Sequence, residues 1–293
     1  MSGVEIHNPK ALVSCDWLER HLDDFGLRIF DCTTQLVLEE GGDRPYRVVS
    51  CQEEHNARHI PGAGYFELQR DFSRNGSPFG MTLAEPDQVA RSFAGNGVGN
   101  GTRVILYSRR GVAWATRFWW MLRWLGFDNA AVLDGGFDKW VADGRATSSD
   151  PCAYPPNELM VNLRPNQFVG KEDVLTAIGD PATCTLNALG TDIFTGENPR
   201  YGRPGRIPGS ASVPQISLLN PETFEFLAAD LIAEKFAAVG ADQAAKHITY
   251  CGGGIFATVV AFWLHQLGHD TVSVYDNSMS EWGPDESLPV ERD

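Results

Sequence analysis

The sequence predicts an α/β protein made of two successive halves, each a mostly parallel sheet covered by helices on both faces. Three observations carry this. Short β-prone runs alternate with longer apolar runs of helical spacing along the whole chain. Several residue patterns recur in the same order about one domain length apart. A proline-rich stretch, Pro151-Cys152-Ala153-Tyr154-Pro155-Pro156, separates the two sets. The expected division is residues 1–150, a linker at 151–165, and residues 166–293.

Composition narrows the function classes. The 293 residues suffice for two ordinary domains with full cores. A net charge of −14 argues against nucleic acid and against an anionic membrane surface, and it requires any anionic substrate to find a local cationic pocket. The six cysteines, at 15, 32, 51, 152, 184 and 251, form no CxxC pair and no zinc-ligand spacing. No metal or organic cofactor is expected. Met1 to Leu22 lacks the charged start and apolar core of a leader, and no run approaches ~18 consecutive apolar residues. A reduced, cytoplasmic compartment is the expectation.

In the first half, Ser14 is a candidate N-cap for a helix bearing Trp17, Leu18 and Leu22. Leu27 to Asp31 reads as a strand, with Asp31 placed to accept backbone N–H groups of the following turn. Residues 35–58 read as irregular, His59-Ile60-Pro61-Gly62-Ala63 as a turn, and 67–87 as surface loop. A helix is expected from Asp87 to Phe93 and a buried strand from Arg103 to Tyr107. Ser108-Arg109-Arg110-Gly111 follows, with Ser108 read as a cap for the apolar helix Trp114 to Leu125. Ala130 to Leu133 is a further strand, ending in Asp134-Gly135-Gly136 before a short helix at Phe137.

The second half repeats these events. A helix is expected from Asp173 to Ile178, a strand from Thr183 to Asn187, a turn at Arg206-Ile207-Pro208-Gly209-Ser210 and a helix from Ala228 to Val239. The Ile248–Cys251 strand, an apolar helix to Leu267, and strand Val272 to Tyr275 complete it. His59-Ile-Pro-Gly-Ala parallels Arg206-Ile-Pro-Gly-Ser, and Tyr107-Ser108-(x)2-Gly111 parallels Tyr250-Cys251-(x)2-Gly254. Asp134-(x)5-Trp140 likewise parallels Asp276-(x)5-Trp282. A tandem repeat of one α/β unit is the natural reading.

The chemistry points to His247-Ile-Thr-Tyr-Cys251-Gly-Gly-Gly-Ile-Phe-Ala257, a strand, a glycine loop and a helix start with a thiol at the turn. Glycines let the backbone curl its N–H groups inward, and the helix adds its positive end. That setting stabilises a thiolate and makes it a nucleophile. The alternative is a packed cysteine beside a tight turn. The sister loop weighs against it: with Ser108, Arg109 and Arg110 it holds no comparable nucleophile, whereas a purely structural loop would be similar in both copies.

With these motifs in order and twice over, the chain resembles the two-domain rhodaneses, the thiosulfate and 3-mercaptopyruvate sulfurtransferases, over nearly its full length. The resemblance implies two tandem rhodanese-like domains, a catalytic C-terminal copy and an inactive N-terminal copy that frames the site. It implies that Cys251 attacks the sulfane sulfur of a small donor and carries a persulfide, with Gly252, Gly253, Gly254, Ile255 and Phe256 around it. A thiol acceptor such as thioredoxin or a low-molecular-weight thiol, or cyanide, then takes the sulfur. The related phosphatases end this loop in an arginine that grips phosphate, absent here. Mercaptopyruvate-type members carry Gly, a small residue and Gly after the cysteine, as here, whereas thiosulfate-type members carry basic residues. Arg200, after Glu197-Asn198-Pro199, matches the family's substrate-orienting arginine; Arg203 and Arg206 read as solvated or structural.

The chain departs from the family at Asn187-Ala188-Leu189, where Asp-Ala-Arg is usual, at Gly253, where mercaptopyruvate enzymes have a serine, and at Phe256, where a small polar residue is usual. Each makes the pocket more apolar. His59 is the family's turn histidine, read as a structural cap, with proton transfer near Cys251 the lesser alternative. His265 and His269 suit a helix C-terminus, and Trp114, Phe118, Trp119, Trp120 and Trp124 read as core. The other five cysteines read as structural. Two further functions stay open: a relay that takes persulfide sulfur from a protein donor, and a non-catalytic binding module.

Overall fold

The computed structural model describes residues 4–39 and 46–292. Its elements in chain order are β1 (Leu12–Val13), α1 (Cys15–His21), β2 (Leu27–Asp31), β3 (Thr34–Leu38), β4 (Tyr46–Ser50), α2 (Gln52–Ala57), β5 (Ala63–Tyr65), α3 (Pro86–Gly95), β6 (Arg103–Tyr107), α4 (Ala113–Trp124), β7 (Ala130–Leu133) and α5 (Gly136–Ala142). There follow β8 (Phe168–Val169), α6 (Lys171–Ala177), β9 (Thr183–Asn187), α7 (Thr191–Thr195), β10 (Ala211–Ser212), α8 (Ala229–Ala237), β11 (Lys246–Tyr250), α9 (Phe256–Gln266), β12 (Val272–Tyr275) and α10 (Ser278–Trp282).

Two five-stranded sheets result, β1-β7-β6-β2-β5 and β10-β9-β11-β12-β8, every pairing in them parallel. Read from β8, the second has the strand order of the first. Their middle strands are apolar almost throughout because helices cover both faces, so β6 and β11 each bury their last four residues. Register sets the functional end. Tyr107 lies opposite Asp31 and Tyr250 opposite Asn187, so the loops that follow emerge level with the neighbouring strand's end. Open parallel sheets bind ligands outside these carboxyl ends.

The halves join through α4 and α9, and this explains why both helices are apolar on nearly every side. Thr116 and Thr258 share a hydroxyl hydrogen bond of 2.8 Å, and Trp119 meets Phe262 edge to face at 4.9 Å. The expected aromatic cluster is therefore core. Ser14 caps α1 by accepting from the Trp17 N–H. The proline-rich segment is a strap along the first half: the Tyr154 hydroxyl donates to the Gly62 carbonyl at 2.6 Å, and the N–H groups of Asn162 and Arg164 donate to the Leu125 and Trp124 carbonyls.

Four expectations need correction. Residues 35–58 are ordered as the antiparallel β3–β4 hairpin and α2, the hairpin pairing Leu36 with Val48; its connection, residues 40–45, lies outside the described residues. Residues 67–87 bury Leu68, Phe72, Met81, Leu83 and Ala84 under the junction of the halves, because their apolar side chains face protein. Helix α7 occupies a stretch for which no element was expected. His265 is not a charged histidine at a helix end. It is buried against His7 and Trp119, and burial, with Arg123 nearby, pulls its pKa down to about 3.

Candidate active site

Strand β11 ends at Tyr250, whose hydroxyl shares a 2.7 Å hydrogen bond with Ser210 in the turn Arg206–Ser210. Cys251 opens the loop and is only 1% exposed. Residues of the closing Asp276–Trp282 motif hold the loop's first two carbonyls. Met279 N–H donates to the Cys251 carbonyl at 3.0 Å and Ser280 N–H to the Gly252 carbonyl at 2.8 Å. Ser278 takes the Cys251 N–H on its hydroxyl oxygen at 3.0 Å, and that hydroxyl donates to the Tyr275 carbonyl. Ser278 holds φ +51° to do so, an unusual backbone for a side-chain-bearing residue.

The next six N–H groups have no such partner: among the described residues no acceptor takes the N–H of Gly252, Gly253, Gly254, Ile255, Phe256 or Ala257. Five of these six residues are buried, all but Phe256. The last of these N–H groups are the ordinary unpaired donors of a helix start, but Gly252 and Gly253 are buried backbone donors of the kind almost always paired, and together with the positive end of α9 they suit an anion. Side chains on the first two glycines would meet other side chains of the site. A Cβ on Gly252 would overlap the Tyr201 hydroxyl, and one on Gly253 would stand 2.6 Å from the Tyr46 hydroxyl and 2.9 Å from Met81 Cε. Gly254 holds φ +75°.

In the sister loop the first two of these donors are filled, and Arg110 holds φ +58° where Gly253 takes no positive φ. Arg109 N–H donates to Thr33 Oγ1 at 3.1 Å and Arg110 N–H to Asp138 Oδ2 at 2.6 Å. The Arg109 guanidinium folds back over the Phe137 ring and onto Asp31, which also accepts from the Thr33 N–H and meets His55. Burial pushes the Asp31 carboxyl up, but His55, Arg109 and Thr33 outweigh it and hold it below its ordinary range. Ser108 does not cap α4. Its hydroxyl donates to the Gly111 carbonyl at 2.7 Å, so it closes the loop on itself. At the positions of Thr33 and Asp138 the second half has Leu189 and Ser280, neither of which takes a loop N–H.

The arginines separate by role. Arg203 gives its guanidinium to the carbonyls of Trp282, Gly283, Asp285 and Leu288, and Arg206 pairs with Glu291; both are structural. Arg200 is exposed and lies beside the Tyr201 hydroxyl, which reaches Gly252. His59 belongs elsewhere, its ring nitrogens against the carbonyls of His55 and Asp150. Burial pushes the thiol pKa of Cys15 to about 12 and of Cys51 to about 11, and raises those of Cys32, Cys152 and Cys184.

Three residues at the site carry no expectation from the sequence. Arg117 of α4, fully buried, donates to the Gly254 carbonyl at 3.2 Å and the Asp276 carboxylate at 2.5 Å, tying the loop to the first half. A charge in an otherwise apolar helix was its available signal. Tyr201 follows Arg200 directly. Tyr46 comes from the β3–β4 hairpin of the other half, and no local pattern announces it.

Comparison with known proteins agrees with this geometry. The rhodanese-like domain profile matches residues 14–143 and 195–285. The 3-mercaptopyruvate sulfurtransferase of Escherichia coli (strain K12) is 31% identical over 282 residues, which cover 95% of this chain and 97% of that one. The sulfur carrier protein TtuD of Thermus thermophilus is 26% identical over 296 residues, 97% of each chain. Among solved structures, SseA from Escherichia coli, a 3-mercaptopyruvate sulfotransferase with the rhodanese fold, superposes with a TM-score of 0.77 at 28% identity, covering 92% of this chain and 98% of that one. A profile match across both halves and a full-length relative at that identity leave one conclusion: the chain belongs to the rhodanese family and is a sulfurtransferase.

Proposed function

We propose that Cys251 takes the sulfane sulfur of a small donor, 3-mercaptopyruvate first and thiosulfate next, and passes it as a persulfide to a thiol such as thioredoxin or a low-molecular-weight thiol, or to cyanide. The buried N–H groups without acceptors that follow Cys251 carry the reading, because a persulfide anion or a departing anion is what such donors stabilise. The thiolate lone pair forms the S–S bond as the donor's bond to sulfur breaks, releasing pyruvate or sulfite. Attack by the acceptor on the outer sulfur then restores Cys251, giving ping-pong kinetics. Arg200 is assigned to the donor carboxylate, and Ile255 and Phe256 complete the loop wall. The first half supplies no nucleophile of its own and frames the site through Tyr46, Met81 and Arg117. All six cysteines are free, which fits a reduced, cytoplasmic compartment. No helix among the described residues is long and apolar enough to cross a membrane.

The resemblance to the Thermus sulfur carrier supports a second reading, in which a protein donor loads Cys251. Against it, Cys251 is 1% exposed, so a small donor reaches its thiol more readily than a protein donor does, whereas an acceptor needs only the outer sulfur of the persulfide. Intact-mass spectrometry decides. Incubation with 3-mercaptopyruvate is expected to add one sulfur atom to the protein, and Cys251→Ser to abolish both the addition and the turnover. Loading by a protein persulfide alone would favour the relay, and full activity in Cys251→Ser would remove the nucleophile assignment.

A further inference from the structure

The sulfur loop has no polar side chain of its own within reach of the thiol, since Gly252, Gly253 and Gly254 follow it directly. Two phenolic hydroxyls stand where those side chains would begin. Tyr201 presses on Gly252 and Tyr46 on Gly253, and the two rings meet edge to face with centroids 6.5 Å apart. They are not equivalent. The Tyr46 hydroxyl is engaged with Ser280 Oγ at 3.1 Å. The Tyr201 hydroxyl lies beside the Arg200 side chain, and no hydrogen bond joins it to an acceptor among the described residues. Tyr201 is only 7% exposed, and its hydroxyl stands against Gly252 of the sulfur loop, free to rotate its proton toward a bound donor. Burial, Tyr46 and Cys251 together push its pKa well up, which keeps the phenol protonated as a donor.

Resting on the reading of Cys251 as the sulfur acceptor, we infer that Tyr201 is a catalytic hydrogen-bond donor to the oxyanion that develops on a keto-acid sulfur donor, and that it selects for donors of that class. In the first half-reaction the Cys251 thiolate forms the S–S bond, the donor's C–S bond breaks, and its electron pair passes into the enolate of pyruvate. The charge appears on the former keto oxygen, adjacent to the carboxylate that Arg200 holds. The Tyr201 O–H meets that oxygen. The methyl carbon takes its third hydrogen as the proton of the donor's own thiol, leaving Cys251 as the persulfide anion, so no further reactant is needed. Thiosulfate leaves as sulfite, with no enolate oxygen to receive the phenol's proton. Tyr201 therefore matters for one donor class and not for the other.

The test is Tyr201→Phe, which keeps the ring on Gly252 and removes only the hydroxyl. Single-turnover sulfur loading is followed by mass spectrometry with each donor, beside wild type. Loading from 3-mercaptopyruvate is expected to slow roughly 10²-fold, the scale of one lost oxyanion donor. Loading from thiosulfate and alkylation of Cys251 by iodoacetamide are expected to stay within about twofold. Equal slowing with both donors, or a parallel fall in alkylation, would make Tyr201 a packing residue and overturn the inference, as would no change with either donor. Wild-type protein that loads from neither donor would instead remove the underlying reading of Cys251.

Discussion

At the scale of single residues, the site is governed by what its glycines exclude. Gly253 stands where the mercaptopyruvate-type relatives that the sequence resembles have serine, and the sequence alone reads this as a more apolar pocket. The structure gives a different cause: the space is taken by Tyr46 and Met81 from the other half. Restoring the serine is then expected to do harm. Gly253→Ser must push the Tyr46 hydroxyl off its 3.1 Å bond to Ser280, with an overpacking cost of about 1–3 kcal/mol. Urea denaturation should show that loss, and sulfur transfer should fall with it. A Gly253→Ser protein as stable as wild type and more active would show that the phenols are bystanders.

At the scale of elements, the two strand–loop–helix units share an order of elements and differ in whether the loop's first two donors are free. The thiol is the visible difference in sequence, but the structure makes it the smaller one. Installing Ser108→Cys in a Cys251→Ser background places a thiol at the equivalent turn, yet the next two N–H groups already belong to Thr33 and Asp138. No persulfide is expected on Cys at that position by mass spectrometry after incubation with either donor. Freeing the donors by adding Thr33→Leu and Asp138→Ser should raise its reactivity toward iodoacetamide, and a fully active single Ser108→Cys loop would sink the idea. The sequence makes the strand, loop and helix at 246–266 legible because each depends on neighbours in the chain: an apolar run, three glycines, a second apolar run. It leaves the donors' occupancy unread, since Leu189 and Ser280 matter only through strand register and a distant turn. The β3–β4 hairpin escapes for a related reason: its strands are half-exposed and lack clean alternation, so the pattern that would announce Tyr46 is weak.

At the scale of the whole molecule, the halves clasp each other through corresponding residues. Asp134, after β7, accepts the Phe226 N–H of the second half at 2.8 Å; Asp276, after β12, accepts the Leu83 N–H of the first at 2.6 Å. Only Asp276 has a buried cation, Arg117, as partner. Arg117→Met leaves that carboxylate uncompensated and is expected to cost about 3–5 kcal/mol in urea denaturation, the scale of a broken buried pair. Asp134 has no such partner, and burial raises its pKa to about 6 from 3.8, with Glu225 adding to the effect and the Phe226 N–H opposing it. A carboxyl whose folded pKa lies above its unfolded one binds its proton more tightly when folded. Its contribution is therefore complete below about pH 4 and is lost as pH rises through about 6, so the ionised group works against the clasp at neutral pH. Asp134→Asn keeps an oxygen for the Phe226 N–H and removes the charge. Relative to wild type, its stability should gain about 1–3 kcal/mol at pH 8, from a shift of roughly two pH units. The two proteins should converge below pH 4. A difference that does not change between pH 4 and pH 8 would mean that Asp134 titrates as an ordinary exposed carboxyl and that the clasp carries no charge penalty.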